Sequence, residues 1–150
     1  MIEIKKAGWD DRRDLLSLIC ALAEYEKLDP PDREAQKRLV EDGFGDNPKY
    51  ESFLAYDDSG AIGYVIFYMT YSSFMAKPTL YLEDIFVLEE YRGKGAGKLL
   101  FSRCVEEGRE RMCGRIDFVV LRWNINAQRF YEKEGAKVMD DWLLYRLEEI

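Results

Sequence analysis

Apolar residues recur along this chain at two periods, and the changes between them mark out its elements. Ile2 to Lys5 alternates apolar and polar positions, which predicts a short strand, and Asp10 or Asp11 follows as a helix N-cap. Leu15, Leu18, Ile19 and Leu22 fall at i, i+3, i+4 and i+7, the stripe of a core-facing helix that Pro30-Pro31 must end. A second helix is predicted over Asp32 to Glu41, closed by Gly43. Tyr50 to Tyr56 and Ala61 to Tyr71 are rich in aromatic and β-branched residues around the turn Asp57-Asp58-Ser59-Gly60, so they read as a hairpin. Thr79 to Leu88 reads as a strand, and a glycine-rich turn leads into an amphipathic helix over 95–112 with Phe101, Cys104 and Val105 inward. Arg115 to Leu121 is nearly all apolar, the pattern of a strand buried on both faces beside a parallel neighbour. Asn124 or Asn126 caps a helix to about Glu134, Gly135 breaks it, and Trp142 to Leu147 is expected to be a last strand. The order is β-α-α-β-β-β-α-β-α-β, an α/β (α+β) fold with a mixed central sheet flanked by helices. At 150 residues, a single domain over 1–150 is expected.

Composition narrows the chemistry. There are 29 Asp+Glu against 22 Lys+Arg, a formal charge of -7 and no basic run, which argues against nucleic acid. An acidic cleft would favour a cationic small molecule, although a solvated acidic surface explains the same balance. The start MIEIKKAGWDD lacks a charged leader with an apolar core, and no apolar run spans a bilayer, so a cytoplasmic protein with no membrane contact is expected. Cys20, Cys104 and Cys113 show no paired spacing and read as reduced structural thiols. Histidine is absent. That removes Ser-His-Asp and Cys-His nucleophiles and the commonest catalytic metal ligand, so no metal is expected and protons must move through carboxylates, Tyr, Lys, Cys or water.

The segment Leu82 to Leu100, LEDIFVLEEYRGKGAGKLL, places Gly93, Gly95 and Gly97 between a strand end and a helix start. Glycines let main-chain N–H groups approach an anion, and the helix dipole adds to the attraction; a ligand-free flexible connection is the plainer alternative. A dinucleotide-type G-x-G-x-x-G fails at Lys98, and a Walker loop fails at Arg92 and Leu99. Arg92-Gly93-Lys94-Gly95-Ala96-Gly97 does fit R-x-x-G-x-G/A, and Trp123 to Ala136, WNINAQRFYEKEGA, fits N-x-x-A-x-x-F-Y-x-x-x-G. Together these resemble the signatures of the GNAT (Gcn5-related) N-acetyltransferases. EYE at 24–26, EDGFG at 41–45, TY at 70–71 and YLED at 81–84 are similar to the spermidine/spermine and thialysine N-acetyltransferase group.

The resemblance implies an acetyl-CoA N-acetyltransferase acting on a small primary amine, with a protein lysine or N-terminal acceptor, or a non-catalytic CoA-binding module, as alternatives. It implies binding of acetyl-CoA by Arg92, Gly93, Lys94, Gly95, Ala96, Gly97 and Lys98, by the main chain of Phe86, Val87 and Leu88 where two strands splay, and by Asn124, for which helix capping is an equal reading. A main-chain N–H there would polarise the thioester oxygen. Glu83, alternating with Tyr81 on one strand face, matches the position of the general base, or else simply holds the ammonium. Tyr131 matches the position of the acid that protonates the departing sulfur; ordinary core packing is its other reading. Glu26, with Tyr81 and Asp84, is assigned to the amine, and Asp29 is a weaker neighbour. Ser72 and Phe74 stand where polyamine-specific members carry Asp and Trp, which turns the reading toward lysine-like amines or short diamines. A homodimer is implied as well.

Overall fold

A computed structural model describes residues 1–150. The chain forms two compact units, residues 1–118 and residues 119–150.

The first unit is a five-stranded sheet in the order β1-β2-β3-β4-β5, with β1 Glu3–Lys6, β2 Glu51–Asp57, β3 Gly60–Ser72, β4 Lys77–Val87 and β5 Arg115–Asp117. The first four strands are antiparallel; β5 joins β4 in parallel after a crossover through a helix. Asp57 closes the β2–β3 hairpin by accepting hydrogen bonds from both the N–H and the hydroxyl of Ser59. Two helices precede β2. α1, Arg12–Glu26, stops where Lys27 turns left-handed ahead of Pro30, and α2, Arg33–Phe44, begins at Asp32, whose carboxylate accepts from the Ala35 N–H at 2.8 Å. α3, Ala96–Glu110, carries the crossover.

The sheet buries both faces. Leu15 and Leu18 of α1 pack with Leu54, Tyr64, Ile66 and Phe86 on one side, and Ile19 and Leu22 border that cluster, as their spacing predicts. On the opposite strand positions Phe53 stacks on Phe67, and α3 contributes buried Leu100, Phe101 and Cys104. Arg111, just past α3, pairs with Glu51 of β2 and with Glu107, tying the helix end to the sheet.

Three expectations are corrected. α2 continues through Gly43 to Phe44, because the missing side chain at Gly43 makes room for the Tyr50 ring rather than ending the helix. β5 stops at Asp117 instead of reaching Leu121: it pairs only with Thr79 to Tyr81, short of the irregularity that bends β4 at Glu83, and Val119 and Leu121 are exposed. Trp142 to Leu147 is not a strand.

In the second unit, α4, Ile125–Lys133, is capped by Asn124 and followed by Gly135 at φ 98°. Residues 137–150 contain no helix or strand, and Trp142, Leu143, Leu144, Tyr145 and Leu147 are each more than 70% exposed. A strand exists only where a neighbour satisfies its main-chain groups, and this segment pairs with none. No helix of the protein is long and apolar enough to cross a membrane.

Candidate active site

The glycine turn lies between the end of β4 and α3. Gly93 and Gly95 adopt φ 78° and 92°, which L side chains resist, and an added Cβ at either would meet no atom within 4 Å. Gly95 is the N-cap of α3 and provides no side-chain acceptor, so the cap itself satisfies none of the first N–H groups of the helix. These donors at the positive end of a helix of 15 residues form a surface suited to a phosphate. Arg92 braces the turn from behind: its Nε donates to the Val87 carbonyl at 2.8 Å, and its guanidinium lies over the rings of Tyr25 and Phe86. Lys94 lies over Tyr91, whose hydroxyl bonds Ser59 of the β2–β3 turn.

The register of β4 explains the chemistry beside that turn. Leu82 pairs with Phe67 and Asp84 with Ile66, so Glu83 is an extra residue opposite no partner, a β-bulge. Strict alternation would send Glu83 and Asp84 to opposite faces. The bulge resets the period, and both carboxylates line one cleft of about 350 Å³ on the α1 side of the sheet. Tyr50 and Tyr68 add aromatic walls, Ile19, Leu39 and Ile66 aliphatic ones, and Lys49 lines it as well.

Each acid in this region has its own surroundings. Glu83 is exposed and accepts from the Tyr68 hydroxyl at 2.9 Å. Asp84 is half-buried; burial, and then the charge of Glu83, push its carboxyl up to about 6, opposed by the hydrogen bond it accepts from Tyr64 at 3.2 Å. Glu26, at the end of α1, is raised by burial and repels the charged form of Asp84. Tyr68 is held well above its ordinary value by burial and then by its bond to Glu83, so it stays a neutral donor. Tyr81 sits beside Tyr68 with ring centroids 5.3 Å apart; it backs that wall and does not itself line the cleft. No cluster of metal-binding residues occurs here or elsewhere in the protein.

The strand edge facing β5 is open beyond Tyr81. Leu88 donates to the Ile62 carbonyl, so its N–H belongs to the sheet, and the main chain of Val87, one residue earlier, points to the open edge. Of Phe86, Val87 and Leu88, Val87 is therefore the one whose main chain faces outward, and its carbonyl already holds Arg92.

In the second unit the Asn124 side chain accepts from the Ala127 N–H at 3.2 Å, the helix cap. Tyr131 is buried and makes an edge contact with Phe130. In the first unit, Ser72 is buried at the β3–β4 tip, where its hydroxyl accepts from the Met75 N–H, and Phe74 is fully exposed. Ser72 pairs with Lys77, four residues beyond the Tyr68–Tyr81 pair and outside the cleft.

Comparison with known proteins follows the same lines. Residues 13–136 match the acetyltransferase (GNAT) family. An L-ornithine N5-acetyltransferase of Arabidopsis thaliana is 42% identical over 68% of this chain, which spans 46% of that protein. A thialysine N-epsilon-acetyltransferase of Bos taurus is 33% identical over 98% of this chain and 92% of its own length. The solved structure of an aminoglycoside N-acetyltransferase in complex with CoA shares the fold, with a TM-score of 0.81 at 21% identity over 98% of this chain and 95% of that one. The uncapped glycine turn and the sheet that precedes it thus have a common explanation: the chain belongs to the acetyltransferase (GNAT) family.

Proposed function

We propose that this chain transfers an acetyl group from acetyl-CoA to a primary amine of a small molecule, a diamine, polyamine or lysine-like amine, by direct attack while both substrates are bound. The observation that carries the reading is the bulge at Glu83, which turns two adjacent carboxylates into one cleft on the strand that leads to the glycine turn. The ornithine- and thialysine-acetylating relatives support it.

Acetyl-CoA supplies an activated acetyl thioester and a pyrophosphate handle. The N–H groups of Ala96, Gly97 and Lys98, with the open backbone of Gly93, Lys94 and Gly95, would hold the pyrophosphate, and the room around both glycines fits that task. Val87 would offer its outward main chain to the cofactor arm, and Arg92 keeps that main chain in place. Asn124 acts through the cap of α4. An alkyl ammonium, with an ordinary pKa of about 10.4, must lose a proton before it can attack. Glu83 takes that proton, directly or through water; Asp84 and Glu26 attract the cation, and Tyr68, backed by Tyr81, walls the site. The new bond joins the amine nitrogen to the acetyl carbon as the carbon–sulfur bond breaks, and Tyr131 returns a proton to the sulfur.

We place the two units in one acetyltransferase domain, since the family match runs across both. Free thiols at Cys20, Cys104 and Cys113 suit a reducing cytoplasm, and the exposed segment from Trp142 to Leu147, apolar except at Arg146, suits burial in a homodimer. The test is a panel of free amines and lysine peptides with acetyl-CoA, following CoA release. Turnover of one or more free amines is expected. Turnover of peptides alone would establish a protein acetyltransferase, and binding of CoA without any turnover would leave a binding module.

A further inference from the structure

The cleft is not uniformly acidic. Glu83 and Asp84 come from the bulged strand, whereas Lys49 lines the same cleft from the segment between α2 and β2. Its backbone is held in place, since the Lys49 N–H donates to the Asp42 carbonyl at 2.7 Å and the next residue, Tyr50, is fixed by its hydroxyl bond to the Leu39 carbonyl. The Lys49 ammonium makes no ion pair: the acidic residues of the first unit that do pair with a cation are Asp11, Glu51, Glu106, Glu107, Glu110 and Asp117, with other partners. A cleft with two carboxylates and one uncommitted cation on a flexible four-carbon stem is matched to a ligand carrying both signs of charge.

We propose that Lys49 is a specificity-determining residue that reads a carboxylate on the acceptor, so that the substrate is an ω-amino acid whose terminal amine meets Glu83 and Asp84 while its α-carboxylate meets Lys49. The inference rests on the acetyl-transfer reading above and narrows its substrate class. A diamine or polyamine would bring its second ammonium toward Lys49 without the carboxylate that an amino acid carries on the same carbon, so the like-charge repulsion there would go uncompensated. The opposite-charge contact favours the amino acid by roughly tenfold or more, the range of a hydrogen bond between charged groups.

Matched pairs of amines that differ only by the carboxylate test this: ornithine against putrescine, and lysine against cadaverine, each measured as kcat/KM with acetyl-CoA for the wild type, Lys49→Ala and Lys49→Glu. Because Lys49 is exposed, both variants should keep the wild-type unfolding temperature. The wild type is expected to prefer the carboxylate-bearing member of each pair by roughly tenfold or more, Lys49→Ala to lose most of that preference through KM, and Lys49→Glu to invert it. Equal use of both members by the wild type, or a preference that survives in both variants, overturns the role of Lys49 while leaving amine acetylation intact. Failure of every amine in the panel overturns the acetyl-transfer reading itself.

Discussion

Replacing Asp84 by Asn tests the electrostatics of the cleft with a sign that simple mutational intuition gets wrong. The side chain keeps its size, and the amide oxygen can still accept from Tyr64. What disappears is a charge that the fold disfavours. The carboxyl is raised from 3.8 to about 6, first by burial and then by Glu83, so the folded state holds the proton more tightly than the unfolded chain. Stability therefore falls as pH rises through the window from 3.8 to about 6, and the penalty is fully present above it. That rise of the carboxyl corresponds to ~3 kcal/mol, an upper bound because local relaxation and water relieve part of it. Asp84→Asn should accordingly be more stable than the wild type by about 1–3 kcal/mol at pH 7.5, with the difference vanishing near pH 4. Urea unfolding at the two pH values, read by tyrosine and tryptophan fluorescence, measures it. The same variant should lose amine affinity, because an attractive charge has gone from the cleft. A variant equally stable or less stable at pH 7.5 would refute the placement of Asp84 as a disfavoured charge held for function.

Three further outcomes are expected. Gly95→Ala puts a side chain at φ 92° where no atom blocks it, so strain alone should cost roughly 1–2 kcal/mol of stability and raise the KM for acetyl-CoA, both measurable on one preparation. Tyr131→Phe should lower kcat by about 100-fold if its hydroxyl protonates the leaving sulfur, whereas unchanged kcat across pH would reduce Tyr131 to core packing. Arg111→Ala leaves Glu51 without the partner that does most to hold its carboxyl at about 2. It should destabilise the protein by about 2 kcal/mol at pH 7, and the gap should close as pH falls from 4.5 toward 2, where the wild type loses the same pair.

Much of the architecture is legible from local pattern. The stripe of Leu15, Leu18, Ile19 and Leu22, the Asp57 to Gly60 turn and the Gly93 to Gly97 loop each owe their form to residues close in sequence. Gly93 and Gly95 even have the left-handed backbone that their residue type suggests. The features that escaped reading depend on a distant partner. The bulge at Glu83 exists only through the pairing of β4 with β3, so alternation alone gave Glu83 the face of Tyr81 but could not bring Asp84 to it. Tyr68, Tyr50 and Lys49 reach the cleft from β3 and from the segment before β2, and no local signal separates them from ordinary surface and core residues. Gly43 carried a helix-stop signal, yet packing against Tyr50 decided its role. Trp142 to Leu147 has a strand's composition and no neighbour to pair with.

The reaction proposed for this cleft rests most directly on Glu83 as the proton acceptor. The decisive measurement is kcat against pH, from 6 to 10, for the wild type and Glu83→Gln with the best amine of the panel and saturating acetyl-CoA. With Glu83 as proton acceptor, the variant should fall by about 100-fold or more near pH 7 and recover toward pH 10, where the amine deprotonates without help. Profiles of the same shape, with kcat within about twofold at every pH, would contradict the account, because such a difference is far below what loss of a general base produces.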